Sequence, residues 1–250
     1  MIKISVLGYG NLGRHLAANL SAQEGIQLIQ VYSPSQNPED NQEVALINDL
    51  KNLEPADLYF AAVSDDAIGE LSLNLPKDCA LVHTSGTVNM AVLGNQSKRG
   101  VFYPLQTFSK NYPVAFDQIP ICLEANNPET LALLDEIARK LSKKVVHLNS
   151  QERLELHLGA VLVNNFTNHL YTLSQKHLEQ KGLPFELLHP LIIETAKKGM
   201  AIGSESAQTG PAKRNDRNTI ERHLALINDD RLKEIYNLLS NSIREHTKSK

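Results

Sequence analysis

The sequence predicts an α/β protein: a parallel sheet covered by helices on both faces, followed by an all-helical C-terminal domain. Three observations predict it. An apolar run, Ile2 to Val6, leads through Leu7-Gly8-Tyr9-Gly10-Asn11-Leu12-Gly13 into an amphipathic stretch. Strand-like and helix-like patterns then alternate to about residue 150, the order that makes a doubly covered parallel sheet. Beyond that point the strand signal stops and long helical patterns run on. The expected division is therefore a domain over residues 1–149 and a second over residues 150–250.

The first strand and its turn carry the most specific signal. Gly8 ends the strand and permits a tight turn, Gly10 lets bare backbone approach a diphosphate, and Gly13 allows the new helix to lie close on the strand. The helix N-terminus adds unpaired N–H groups and the positive end of a dipole. This spacing, after a strand and before a helix, is the Rossmann dinucleotide fingerprint. Gly8, Tyr9, Gly10, Asn11, Leu12 and Gly13 are the expected cofactor loop. The next strand, Ile26 to Tyr32, ends in Ser33-Pro34-Ser35, where an NAD-selective site usually carries an acid for the ribose hydroxyls. Hydroxyls at Ser33 and Ser35 can donate to a 2′-phosphate that a carboxylate would repel. The cofactor expected is NADP, with NAD the alternative; a nucleoside-binding methyltransferase, which also wants an acid here, is disfavoured.

Asp57 to Val63 is a near-continuous apolar strand ending in Ser64-Asp65-Asp66, and Cys79 to Val82 is another ending in His83-Thr84-Ser85-Gly86. Ile119 to Leu123 and Val145 to Leu148 complete the set, with a helix from Pro128 to Ser142 between them. Ligands of open parallel sheets bind beyond the carboxyl ends of the strands. Gly8, Ser33, Ser64 and His83 occupy such ends, so they and Val63 are expected to face one cleft. Thr84 and Ser85 are candidates to bond a nicotinamide amide or ribose, and Ser85 to protonate a substrate through a neighbour. The rival reading of this turn is strand capping. Tyr103 to Phe108 reads as extended chain stiffened by Pro104 that shapes a sheet edge, with Gln106 its one ligand contact.

The helical half reads as Gln151 to Gln180, Pro184 to Gly203, Asp216 to Ile227 and Asp229 to Glu245, with a small-residue loop from Gly203 to Gly210. At about 100° per residue, Leu158, Leu162, Phe166, Leu170 and Leu173 form one apolar face, and His157, Asn164 and Asn168 lie opposite. That polar side is either a solvated face or the border of the nicotinamide cleft. In the second case His157 is the natural proton donor, because an imidazole titrates near neutrality, and Asn164 helps to position the substrate. The basic loop with Lys213, Arg214 and Arg217 either holds an anionic group, the cofactor phosphates or a substrate carboxylate, or is helix punctuation, while Asp216 reads as an N-cap; Thr219 and His223 lie one turn apart on the new helix. Long helices with wide apolar stripes need a second chain to bury them, so a homodimer through these helices is expected.

Composition narrows the remaining classes. A net charge of -3 supplies no basic field for nucleic acid, and 5% aromatic residues with no Trp argue against a base-stacking surface. No apolar run approaches the length of a membrane span, and Met1 to Leu7 reads as a strand and not as a signal peptide. A cytoplasmic protein with no membrane partner is expected. Cys79 and Cys122 lie in apolar segments away from any ligand spacing, so they read as buried, reduced thiols and no metal site is expected.

Several motifs carry a resemblance. Gly8 to Gly13, Ala62-Val63-Ser64-Asp65-Asp66-Ala67-Ile68, His83-Thr84-Ser85-Gly86, Tyr103 to Phe108 and Gln208 to Asp216 span nearly the full length. With them, the chain resembles a bacterial family of Rossmann-like proteins whose helical C-terminal half is a domain of unknown function. The N-terminal half resembles the nucleotide domain of the 6-phosphogluconate dehydrogenase superfamily, which includes pyrroline-5-carboxylate reductases. The resemblance implies an NADP-dependent oxidoreductase, dimeric through its helices. Hydroxyacid dehydrogenases of that superfamily carry a catalytic lysine in a Lys-x-x-Asn-Asn pattern, and here Val161-Leu162-Val163-Asn164-Asn165 puts valine in its place. The function expected is hydride transfer between NADP(H) and a small carbonyl or imine. The missing lysine sustains a second reading, a catalytically silent NADP-binding sensor or scaffold.

Overall fold

Short apolar segments set between glycine, proline and acidic turns form the strands. The computed structural model describes residues 1–38, 44–94 and 96–248. Its strands are β1 (Ile2–Leu7), β2 (Ile26–Tyr32), β3 (Leu46–Ile47), β4 (Leu58–Ala61), β5 (Ala80–His83), β6 (Lys98–Pro104), β7 (Ile121–Ala125) and β8 (Val145–His147). They make one sheet in the order β3-β2-β1-β4-β5-β6-β7-β8. The first six are parallel, as expected; β7 runs antiparallel to β6, and β8 follows β7. The sheet is thus the expected Rossmann-type one, mostly parallel, with one reversal between β6 and β7. Residues 105–120 join β6 to β7 with only one 3₁₀ turn, Phe116–Gln118, whereas a parallel partner needs a crossover of about a dozen residues that is usually helical. The Leu105 N–H donates to the Pro120 carbonyl at 2.8 Å and closes the return. Because β6 lies between β5 and β7, Tyr103 and Pro104 sit inside the sheet and not at the edge expected for them.

Two helices, α1 (Asn11–Ser21) and α3 (Pro128–Leu141), cover one face. Leu16, Ala17 and Leu20, with Leu134, Ile137, Ala138 and Leu141, are buried at helical spacing against Ile4, Val6, Phe60, Val82 and Phe102. Alternation along the strands sends Tyr59, Ala61 and Leu81 to the other face, where α2 (Asp65–Leu73) buries Ile68 and Leu71. The next helix, α4 (Ser150–Ala160), opens with a reciprocal capping box between Asn149 and Glu152. Since β7 and β8 run opposite to the other strands, β8 ends at the base of the sheet. From there α4 climbs back toward the edge that carries the Gly8 turn.

The long helical run expected over 151–180 is continuous but not uniformly α. It widens into a π turn at Val161–Phe166 before α5 (Thr167–Glu179). Within that turn the chain divides into two compact units, Met1–Asn164 and Asn165–Lys250. The second unit is helical: α5 is followed by α6 (His189–Ile202), α7 (Ser204–Ala207), α8 (Arg217–Leu226) and α9 (Asp230–Lys248). The single turn of α7 occupies part of the stretch expected as loop, beginning where Gly203, at φ 82°, ends α6. Among the described residues of this unit, Ala212 and Ile227 are the buried apolar side chains, while Leu187, Leu191, Met200 and Leu238 are 69%, 62%, 81% and 71% exposed. No described helix is long and apolar enough to cross a membrane.

Candidate active site

Because β1, β2, β4 and β5 are parallel, their carboxyl ends bring Gly8, Ser33, Ser64 and His83 to one edge of the sheet. Gly8 has φ 113°, which favours glycine, and a Cβ there would stand 2.3 Å from the Ala62 carbonyl oxygen. A Cβ at Gly13 would stand 2.0 Å from the Gly8 carbonyl oxygen. The fold itself dictates both. Gly10 is different: it is exposed, has φ -74° as the N-cap of α1, and a Cβ there would meet nothing within 4 Å. It also offers no side-chain cap to the first N–H groups of the helix. An open glycine at such a helix start leaves room and donors for an anion. Arg14, one turn in, holds its guanidinium 4.0 Å from the centroid of the buried Tyr9 ring. A cation here opposes the helix dipole, so the arrangement favours a negative group at this end.

The rest of the crevice follows from the other strand ends. Asn11 is exposed and Leu12 half-buried at the start of α1. Ser33 is buried and its N–H donates to the Ile47 carbonyl at 2.8 Å, while Ser35 is exposed two residues on and stands open to a phosphate. Val63 flanks Gly8, and exposed Ser64 begins α2 without a side-chain cap bond. These residues fit the diphosphate and ribose of a dinucleotide. Thr84 is buried, with its hydroxyl donating to the Ala61 carbonyl at 3.4 Å, and Ser85 Oγ accepts from the Thr87 and Val88 N–H groups at 3.1 Å. Both hydroxyls therefore shape the turn after β5. His83 is sealed from solvent; its Nδ1 accepts from the Ser85 N–H at 3.2 Å, and burial, reinforced by the Arg153 charge, lowers its pKa to about 4.

A second group of polar side chains lies where α4 meets that turn. His157 is half-buried, with Nδ1 3.1 Å from the Tyr103 hydroxyl at the end of β6. A Cβ on Gly86 would stand 2.5 Å from His157 Nδ1 and 2.8 Å from Tyr103 Cζ, so the pair lies directly on the backbone of the turn. Burial pushes the Tyr103 phenol up to about 12, and it stays protonated at neutral pH. Among the described residues the hydroxyl's hydrogen-bond partner is His157 Nδ1, so sending the phenolic proton there leaves no buried donor unsatisfied. The imidazole then carries its own proton on Nε2. Such a ring can donate to an oxygen or nitrogen while Tyr103 fixes its tautomer.

Asn164 is exposed in the π turn, and Asn168 belongs to the second unit. The faces of the helix are not those an even wheel suggests: Leu158 and Leu162 are 56% and 53% exposed, whereas Arg153 and His157 turn to the sheet. Tyr103, Gly86, Glu124 and Arg153 were absent from the expected site. For Arg153 the available signal was its spacing, one helical turn before His157. In the second unit Asp216 caps α8 by accepting from the Thr219 N–H and hydroxyl, His223 bonds the Tyr236 hydroxyl at 2.7 Å, and Lys213 donates to the Gln208 carbonyl. Among the described residues no cluster of His, Cys, Asp or Glu is arranged to hold a metal ion.

A mostly parallel sheet with a glycine turn between its first strand and helix, and a helical C-terminal region, defines a Rossmann-type α/β protein. The chain belongs to the family described as Domain of unknown function (DUF2520), which matches residues 119–243. It is similar to a candidate NADP oxidoreductase from Bacteroides fragilis, with 39% identity, a TM-score of 0.87 and coverage of 98% of both chains. It is also similar to protein TM1727 from Thermotoga maritima, at 26% identity and a TM-score of 0.76 over 97% of this chain and 99% of that one. Pyrroline carboxylate reductase from Plasmodium falciparum, solved with NADP bound, shares the fold at 14% identity and a TM-score of 0.60, over 99% of this chain and 97% of that one. No curated protein matches the chain.

Proposed function

We propose that the protein is an NADP-dependent oxidoreductase, accepting NAD less well, that moves a hydride between the nicotinamide and a small carbonyl or imine. The observation that carries this reading is Gly10, an open glycine that the fold alone does not require, at an uncapped helix start. The assignment of the Bacteroides fragilis relative as a candidate NADP oxidoreductase supports it. The dinucleotide supplies or accepts the hydride when bound. The loop from Gly8 to Gly13 holds the diphosphate, and Ser35 meets the 2′-phosphate. His157, once solvent has placed a second proton on Nδ1 and the Tyr103 hydroxyl accepts from it, gives the Nε2 proton to the carbonyl oxygen or imine nitrogen as the adjacent carbon is reduced, leaving an alcohol or amine and a neutral ring that solvent reprotonates. Tyr103 keeps the ring in register, which assigns proton transfer to an imidazole in a chain that has Val161 where related dehydrogenases have lysine. The helical residues from 150 onward supply the substrate surface and the contact of a cytoplasmic homodimer; the exposed apolar side chains of α6 and α9 support this.

The test has two arms. Calorimetry is expected to detect NADP binding in the natural protein and none in Gly10→Val. His157→Ala is expected to bind NADP normally and to lose at least about 100-fold in turnover, the low end for general acid catalysis, when reduced-nicotinamide absorbance is followed over keto acids, aldehydes and imines. Tight binding with no consumption across that panel would instead identify a silent sensor.

A further inference from the structure

Among the described residues the largest fully buried side chain is a charged one, Arg153, 1% exposed in the middle of α4. Its guanidinium pairs with Glu124 of β7, donates to the Val88 carbonyl, and reaches Ser150 Oγ at 3.4 Å. Ser150 donates to both Glu124 oxygens at 2.9 Å and accepts from the Met90 N–H at 3.2 Å. Among the described residues Arg153 Nε–H is buried without a partner. Burying an ion pair incurs a desolvation penalty of several kcal/mol per ion, and apolar residues of similar volume hold a helix to a sheet as well or better. Stability alone is therefore a poor reason for this arginine. Directionality is a better one, because a planar fork bonded to a strand and to a loop fixes both the slide and the rotation of its helix. Val88 belongs to the same turn as Gly86, and one helical turn beyond Arg153 stands His157, against Gly86 and Tyr103.

We propose that Arg153 is a positioning residue: bonded to Glu124 and to the Val88 carbonyl, it sets α4 so that His157 Nδ1 stays on the Tyr103 hydroxyl and Nε2 carries the proton. This rests on the reading of His157 as proton donor, but it is tested without turnover. Lysine keeps the charge and cannot span both partners. Ring nitrogen shifts of His157 report its tautomer by NMR, assigned by the loss of signals in His157→Gln. The natural protein is expected to favour the Nε2–H form about tenfold, the effect of one hydrogen bond of about 1.4 kcal/mol. Tyr103→Phe removes that bond directly and gives the reference for its loss. Arg153→Lys is expected to move the ratio toward parity as Tyr103→Phe does, although the phenol is still present. Glu124→Gln, which keeps the guanidinium and weakens one of its bonds, is expected to move it the same way. Natural tautomer ratios in whichever of these two variants fold would overturn the proposal. NADP calorimetry on the same samples separates the two readings, since failure of the natural protein to bind would remove the oxidoreductase and leave the tautomer result standing.

Discussion

Gly8 and Gly13 are glycines because the backbone leaves no room for a Cβ, whereas Gly10 is glycine where that room is open. Substitution separates the two causes. Gly8→Ala and Gly13→Ala are expected to lower the thermal midpoint sharply, while Gly10→Ala costs less than about 1 kcal/mol of stability, the range of a lost glycine cap. A Gly10→Ala midpoint as low as that of Gly13→Ala would show that the fold needs this glycine after all. His83 makes a second prediction, on pH. Its pKa falls from an ordinary 6.5 to about 4, first through burial and then through the Arg153 charge. As pH drops, the unfolded chain takes up the proton first, so this contribution is complete above about pH 6.5 and is lost down to about pH 4, on the order of 3 kcal/mol in all. Urea midpoints are expected to decline between pH 7 and pH 4.5, and to decline less in His83→Asn; equal slopes would remove His83 as the cause.

Helix α4 is held by two devices of different size, its capping box and its buried ion pair. Asn149→Ala is expected to cost about 1 kcal/mol, as lost N-caps do, and Glu124→Ala about 3–5 kcal/mol, because it strands a buried cation. Denaturant titrations giving equal losses would mean that the guanidinium is not what docks the helix. The strands and helices were legible in the sequence because their apolar periods differ, and the glycine turn was legible because a strand that turns tightly into a close-packed helix needs glycine at Gly8 and Gly13. The reversal of β7 was not, since Ile121-Cys122-Leu123 is buried and apolar whichever way it pairs. His157 was legible as a residue but not by its neighbours. An even wheel assigns the inward side to the leucines, yet here the side bearing Arg153 and His157 meets the sheet. For Arg153 the spacing from His157 was the one local mark, since its partner Glu124 stands 29 positions earlier.

The second unit stands apart from the first in what it buries. Among its described residues Ala212 and Ile227 are the buried apolar side chains, while Leu191, Met200 and Leu238 stay open to solvent. A homodimer that covers these side chains is expected to sediment at twice the chain mass of 27.7 kDa. Leu191→Arg is expected to shift it toward the single chain and to reduce helical ellipticity together with mass. A natural protein that stays monomeric at micromolar concentration would contradict this. The asymmetry reaches back to synthesis. The sheet unit leaves the ribosome first with a full set of internal contacts and can close on itself, but the helices that follow find few partners within their own unit. On the proposed homodimer, each new chain has to reach a sister before its oily C-terminal surface meets something else, and translation rate and chaperone supply are then expected to set the yield.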